Sequence, residues 1–115
     1  MINALAGEAL GLDHGPSGRV VAGVVAGNGQ IRNGSGFSVA RTGTGHYLLS
    51  FQPAFETLGG AAITQIYSGD GDTRDNAVIL RIDARQVLIK TGDGNGAQSD
   101  RDFSFVALGQ GAKPA

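Results

Sequence analysis

The amino-acid sequence predicts an all-β domain folded as an antiparallel jelly-roll sandwich. Short runs rich in β-branched and aromatic residues recur along the chain, and clusters of turn residues separate them. Glycine accounts for 20 of the 115 residues and lies mostly between those runs, where tight turns need its conformational freedom. No long helical period interleaves with the runs, so a parallel sheet built from βαβ units is not expected.

The hydrophobic pattern predicts about seven strands, and one face of most of them is apolar. The predicted strands cover residues 19–26, 37–41, 47–51, 61–68, 77–83, 86–91 and 102–108. Residues 27–36 are predicted as a connection, because Asn-Gly occurs in them twice and favours turns. Two sets of residues illustrate the apolar faces, namely Tyr47, Leu49 and Phe51, and Val78, Leu80 and Ile82.

The chain length fits one domain, which we place at residues 19–109. Residues 1–18 are predicted to be an N-terminal arm or a shaft junction, either as a short helix or as an extended segment. Residues 110–115 are predicted to be a flexible tail. The N-terminus has no basic region and carries Glu8 within its apolar stretch, which is a poor pattern for a signal peptide.

Charge and composition argue against several classes of protein. The formal net charge is −1, so the chain does not provide the basic face that non-specific nucleic-acid binding requires. No apolar stretch approaches the roughly 20 residues of a membrane-spanning helix. The absence of cysteine removes disulfides, thiolate metal sites and thiol nucleophiles from consideration.

Several predicted strands are apolar on both faces, as in residues 78–80, 87–89 and 105–108. An antiparallel strand with one face in water should alternate more cleanly between apolar and polar residues. A domain of this size cannot bury both faces of three strands internally. We therefore expect identical subunits to cover some of these faces in a symmetric oligomer.

Two polar loops, at residues 68–76 and 91–102, begin alike with Ser/Thr-Gly-Asp-Gly and are the best candidates for a binding site. Their side chains offer carboxylates, amides and guanidinium groups to a ligand. Asp, Asn and Gly are also favoured in plain hairpin turns, and a turn is the simpler interpretation. The candidate ligand-binding residues are Tyr67, Asp70, Asp72, Arg74, Asp75, Asp93, Asn95 and Arg101. Asp70, Asp72 and Asp75 could offer oxygens to Ca²⁺, and in the second loop Asp93, Asn95, Asp100 and Asp102 could do the same. No other cofactor is expected.

The sequence contains no legible catalytic constellation. His14 and His46 are the only histidines, and neither belongs to a nucleophile elbow or to a paired metal-ligand motif. Since His46 adjoins Tyr47 in a strand, the two side chains point to opposite faces. If Tyr47 is in the core, His46 lies at the surface or at a subunit interface, and an enzyme is not expected.

The aromatic residues fall mostly at strand spacing and are predicted to pack in the core, namely Phe37, Tyr47, Phe51, Phe55, Phe103 and Phe105. Tyr67 is the exception, because it borders the first acidic loop and its hydroxyl needs a polar partner.

One stretch, GSGFSVARTGTGHYLLSFQPAF, resembles the F-x-V-x-R-x-x-x-G-x-Y-x-x-x-F element of bacterial and phage proteins that carry a terminal β-rich head. The later DFSFVALG is similar to the closing strand of those modules. The arrangement over residues 19–109 is similar to the jelly roll of complement globular heads and tumour-necrosis-factor-like proteins.

The resemblance implies a homotrimer that caps a fibre or stalk and uses its loops for recognition, in some cases with Ca²⁺ in those loops. A carbohydrate or a cell-surface receptor would be its ligand, and the site of action would be extracellular, at a cell surface or on a virion. The alternative is a structural trimerisation module without a ligand. The chain has no shaft, heptad or collagen repeat, unlike a complete fibre protein.

Overall fold

Antiparallel strands make up the regular structure of this protein in the computed structural model, which describes residues 18–111. The strands are β1 (Gly18–Val25), β2 (Ile31–Gly34), β3 (Phe37–Gly43), β4 (His46–Phe51), β5 (Thr57–Ile66), β6 (Asn76–Ile82), β7 (Gln86–Gly92) and β8 (Asp102–Gln110). The predicted N-terminal arm and C-terminal tail lie almost entirely outside the described residues. Within residues 18–111 no helix is long and apolar enough to cross a membrane.

The strands form two sheets of four. Sheet A has the order β2-β1-β8-β5, and sheet B has the order β3-β4-β7-β6. Every neighbouring pair within the sheets is antiparallel. The all-β class and the antiparallel arrangement are thus confirmed, and the two sheets are compatible with a β-sandwich.

The core lies between the sheets and is built from the aromatic residues that the alternation placed inward. Phe105 of β8 meets Phe37 of β3 edge-to-face at 4.7 Å between ring centroids. Phe103 of β8 contacts Tyr47 of β4 at 5.2 Å. These four side chains are at most 5% exposed, which confirms their predicted place in the core. Gly23 of β1 makes room for Phe37, since a Cβ atom there would lie 2.6 Å from the Phe37 ring.

Three strands differ from the prediction. The strand predicted over residues 61–68 is β5, which begins earlier, at Thr57, and ends at Ile66. Residues 27–36, predicted as a connection, contain β2, which pairs only with β1 and is exposed at every position. Such a short polar edge strand has no apolar alternation that sequence analysis could detect. In β6 the expected common face of Val78, Leu80 and Ile82 is wrong. A bulge between Ile79 and Arg81 shifts the register, so that Ile82 lies opposite the buried Val87 whereas Val78 lies opposite Lys90.

The connections divide between the two ends of the sandwich. Loops 26–30, 44–45, 67–75 and 93–101 lie at one end, which we call the loop end. Loops 35–36, 52–56 and 83–85 lie at the other end, together with Gly18 and Gly111, the first and last described residues. The two acidic loops of the sequence prediction are thus neighbours, far from where the described chain begins and ends.

Candidate functional site

The two acidic loops contact each other at the loop end. Loop 67–75 joins β5 to β6, and loop 93–101 joins β7 to β8. A Cβ atom built on Gly94 would lie 3.3 Å from the Asp72 side chain, so the turn of the second loop packs directly against the first. The fold therefore brings together the two segments that sequence analysis singled out.

Arg101 is the centre of the contact between the loops. Its Nη1 atom lies 3.3 Å from Oδ1 of Asp75, and the two side chains are only 13% and 8% exposed. The guanidinium carbon lies 3.9 Å from the centroid of the Tyr67 ring, within the range of a cation–π interaction. Three of the predicted ligand-binding residues are therefore bound to one another.

Gln65, which sequence analysis missed, completes this cluster. Its Oε1 atom accepts a hydrogen bond of 3.1 Å from Arg101 Nη1. Its Nε2 group donates to the backbone carbonyls of Asn76 and Gly92, at 2.7 and 2.8 Å. One amide side chain from sheet A thus ties the arginine to two strands of sheet B, and no local sequence signal announces that role.

Asp72 and Arg74 form a second, more exposed pair in the first loop. The Asp72 carboxylate accepts hydrogen bonds from the backbone N–H, Nε and Nη2 of Arg74, at 2.8, 3.1 and 2.9 Å. The Arg74 side-chain hydrogen bonds, followed by the backbone one, hold the pKa of Asp72 below its ordinary value. Asp75 also accepts from the backbone N–H of Asp72 at 2.7 Å, which closes the turn.

Asp93 stabilises the turn of the second loop. Its Oδ1 atom accepts hydrogen bonds from the backbone N–H groups of Asn95 and Ala97, at 2.8 and 3.0 Å. These two bonds lower the pKa of the Asp93 carboxyl, Asn95 first. The Asn95 side chain is exposed, as is that of Asp70 in the first loop. The simpler interpretation of Asp93, a turn residue, describes what its carboxylate does.

Two of the three carboxylates proposed for Ca²⁺ in the first loop have other partners. Asp72 is held by Arg74, and Asp75 is held by Arg101. Among residues 18–111 no group of three or more His, Asp or Glu side chains is arranged to hold a metal ion.

An open groove of about 200 Å³ lies between the loops and the ends of β6 and β7. Arg74 comes from the first loop, Asp93 from the second, and Val78 and Lys90 from the strands. Lys90 forms no ion pair with any of residues 18–111, so its ammonium is available to a ligand. The groove therefore offers one free cation, further donors and acceptors, and an apolar wall.

A second polar cluster is centred on Asp100, which sequence analysis considered only as a possible Ca²⁺ ligand. The Arg41 Nε atom donates to both Asp100 oxygens, at 3.1 and 3.0 Å, and Gly45 N–H donates at 2.7 Å. These groups, with Arg41 first, hold the pKa of Asp100 below its ordinary value. The buried Tyr47 hydroxyl donates to the Gly27 carbonyl at 2.7 Å and contacts Asp100 at 3.3 Å. Asp100 thereby fixes the hairpin turn at residues 44–45 against the loop that precedes β8.

His46 lies on the outer face of sheet B. Its cross-strand neighbours place it on the face opposite the buried Tyr47, as predicted. The His46 Nδ1 atom lies 2.7 Å from the Thr44 carbonyl and donates to it, because a carbonyl oxygen can only accept. That hydrogen bond is local and orients the ring within its own hairpin.

Comparisons with known proteins yield no relative: no family model matches the sequence, and neither the curated proteins nor the solved structures provide a significant match.

Proposed function

We propose that this protein is a non-enzymatic recognition head that assembles as a homotrimer at the end of a fibre or surface protein, outside the cell or on a virion. The observation that carries the proposal is the separation of the two ends of the sandwich. The acidic loops and the groove lie at one end, and the first and last described residues lie at the other. A domain attached through its terminal end would present the loops to a ligand.

The strand order supports the jelly-roll part of the proposal. The first and last strands, β1 and β8, pair in the interior of sheet A, and β4 and β7 pair in the interior of sheet B. The chain crosses between the sheets after β2, β4, β5 and β7. Along the chain, the antiparallel pair of β1 and β8 therefore encloses the antiparallel pair of β4 and β7. Repeated crossing between two antiparallel sheets is typical of jelly rolls and other Greek-key sandwiches.

The outer face of sheet A is the surface we propose for trimer assembly. Val20 of β1 and Val106 of β8 are 53% and 45% exposed, which is unusual for central strands of a small sheet. Their cross-strand neighbours Leu108, Ala22 and Ala62 are also apolar. An apolar patch of small side chains on adjacent strands is well suited to packing against copies of itself.

The groove between the acidic loops is the ligand site we propose, with a carbohydrate or another cell-surface ligand as its occupant. Lys90 and Arg74 can donate to hydroxyl or carboxylate oxygens, and Asp93 can accept from a hydroxyl. Val78 provides apolar contact for a sugar ring or an acetyl group. A shallow groove of this size, with polar groups beside a larger apolar surface, fits a single sugar unit and agrees with weak, multivalent recognition by an oligomer.

The alternative function, a structural trimerisation module without a ligand, is favoured by the internal pairing of the loop residues. Tyr67, Asp75 and Arg101 are engaged with one another, and Asp72 is engaged with Arg74. Such pairs would rigidify the loop end even in a protein that binds nothing there.

A glycan array, run with and without a chelator, tests recognition directly. The proposal expects binding that decreases at least tenfold in a Lys90→Ala Arg74→Ala double variant. Arg85→Ala is the matched control, because Arg85 is an exposed arginine at the other end of the sandwich. Loss of binding with chelator and in an Asp70→Ala Asp72→Ala variant would add Ca²⁺ to the site. An array without signal in either arm would favour the structural module, and a monomer in analytical ultracentrifugation would overturn both functions.

A further inference from the structure

Arg19 is a charged residue inside the sandwich. It lies on the inward face of β1 at the end opposite the loops, and it is only 3% exposed. Its guanidinium carbon lies 4.5 Å from the centroid of the Phe55 ring. Its Nη1 atom donates to the Ala54 carbonyl at 3.2 Å. These two contacts hold the guanidinium in one orientation.

The other two nitrogen atoms of the group, Nε and Nη2, are buried and have no hydrogen-bond partner among residues 18–111. The ion pairs within this part of the chain also do not include Arg19. Burial lowers the pKa of Arg19, yet an arginine keeps its proton in a protein. A full positive charge thus lies out of water with no carboxylate among residues 18–111 to balance it.

Such an arrangement is costly unless something else supplies the missing acceptors. Removing a charge from water is unfavourable, and buried charges in stable proteins are therefore paired or fully hydrogen-bonded. In a guanidinium group Nε–H and one N–H of Nη2 project side by side from the same edge. These two parallel N–H groups match the two oxygens of one carboxylate, so that a bidentate ion pair can form.

We propose that the Nε–Nη2 edge of Arg19 is a carboxylate-binding site whose acceptor comes from outside residues 18–111. Two sources share this chemistry. One is an acidic side chain of the same chain, and the segment that directly precedes Gly18 contains two, Glu8 and Asp13. The other is a carboxylate of a second molecule. Either carboxylate would bind at the end of the sandwich where the described chain begins. The ion pair would thus attach the domain to its own preceding segment or to a second molecule.

Two variants of Arg19 test the site in the full chain. Arg19→Met keeps the length and the apolar stem but removes the charge and every donor. Arg19→Lys keeps the charge but lacks the planar fork, so a bidentate pair cannot form. Arg85→Met serves as a matched control, since the same change at an exposed position should leave the melting temperature unchanged. If Arg19→Met fails to fold, Arg19→Lys carries the comparison.

The source is distinguished by two further measurements. If the acceptor is Glu8 or Asp13, then Glu8→Gln or Asp13→Asn lowers the melting temperature by several degrees when introduced into the wild-type protein. The same substitution leaves the melting temperature unchanged when introduced into the Arg19→Met variant. If the acceptor is a second molecule, the wild type has a higher melting temperature in sodium acetate than in sodium chloride of equal ionic strength. The two Arg19 variants then have the same melting temperature in both salts. The proposal is overturned if neither the acid variants nor acetate acts differently on the wild type and on the Arg19 variants.

Discussion

The guanidinium of Arg101 and the carboxylate of Asp75 form an ion pair of 3.3 Å that is almost withdrawn from solvent, with exposed side-chain fractions of 13% and 8%. Gln65 and Tyr67 enclose the same guanidinium, at 3.1 Å from the amide oxygen and 3.9 Å from the ring centroid. The pair therefore acts as the connection between the two acidic loops rather than as two free binding groups.

Removing Asp75 should weaken the fold, because Arg101 would keep its charge in a nearly buried position without the carboxylate that balances it. For Asp75→Ala we expect the free energy of unfolding to fall by about 2–4 kcal/mol, measured by urea denaturation. Asp70→Ala, an exposed residue of the same loop, should change it by less than about 0.5 kcal/mol. Equal stability of the two variants would contradict the role given to the pair.

Asp100 should make the fold more stable at neutral pH than in acid. Its pKa is lowered in the folded state, chiefly by the hydrogen bonds from Arg41 and then by that from Gly45. Between the lowered folded pKa and the unfolded value of about 3.9, the unfolded chain binds more protons, so stability falls as the pH falls. The contribution is complete above the unfolded value and is lost as the pH drops through the folded pKa.

The Asp100→Asn variant isolates this contribution, because it keeps an acceptor for Gly45 N–H but removes the charge. The stability difference between wild type and variant should be constant near neutral pH and should shrink below about pH 4. Asp72 and Asp93, whose pKa values are also lowered, titrate in both proteins and cancel in the difference. A difference that does not change with pH would show that the charge of Asp100 is not what stabilises the hairpin.

Two glycines of the same hairpin should respond differently to alanine. Gly45 has a φ of +66°, and a Cβ atom there would lie 2.5 Å from the Thr91 carbonyl oxygen. Gly45→Ala should therefore destabilise the protein by about 2–4 kcal/mol, from the left-handed backbone and the clash together. Nothing lies within 4 Å of a Cβ atom at Gly43, so Gly43→Ala should remain within about 1 kcal/mol of the wild type. Thermal melts of both variants check the contrast.

A charge on the outer face of sheet A should dissociate the proposed trimer. Val106 lies on β8 between Ala22 and Ala62 of the neighbouring strands, at the centre of the apolar face. Val106→Asp should shift the protein to a monomer in sedimentation-velocity experiments, because burying an unpaired carboxylate in an interface is unfavourable. Ala40→Asp, at an exposed position on the outer face of sheet B, is the control and should stay oligomeric. If Ala40→Asp gave a monomer and Val106→Asp stayed oligomeric, the interface would lie on sheet B instead.

Most of the architecture could be predicted because it depends on local pattern. Tyr47, Leu49 and Phe51 alternate with outward residues, and this period of two identifies both the strand and its buried face. Tyr67 was correctly set apart from the core aromatics, since it is 52% exposed. The alternation failed at β6, where a bulge changes which face each residue occupies, and at β2, which has no apolar face.

The candidate site was predictable as a place but not as a set of contacts. The repeated Ser/Thr-Gly-Asp-Gly pattern located both loops, and the fold brings them together. The partners of Arg101 and Asp100 come instead from segments distant in the chain, namely Gln65 at the end of β5 and Arg41 in β3. Neither residue carries a local signal, because its role arises only when the two sheets pack.

By itself the sequence thus determined the antiparallel β class, the aromatic core and the two loops at which a ligand is proposed to bind, since each is encoded in the spacing of neighbouring residues. The tertiary structure decided the strand order, the bonds that the acidic side chains make, and the burial of Arg19 without an acceptor among residues 18–111. These features depend on pairings between residues far apart in the chain, which hydrophobic alternation does not specify.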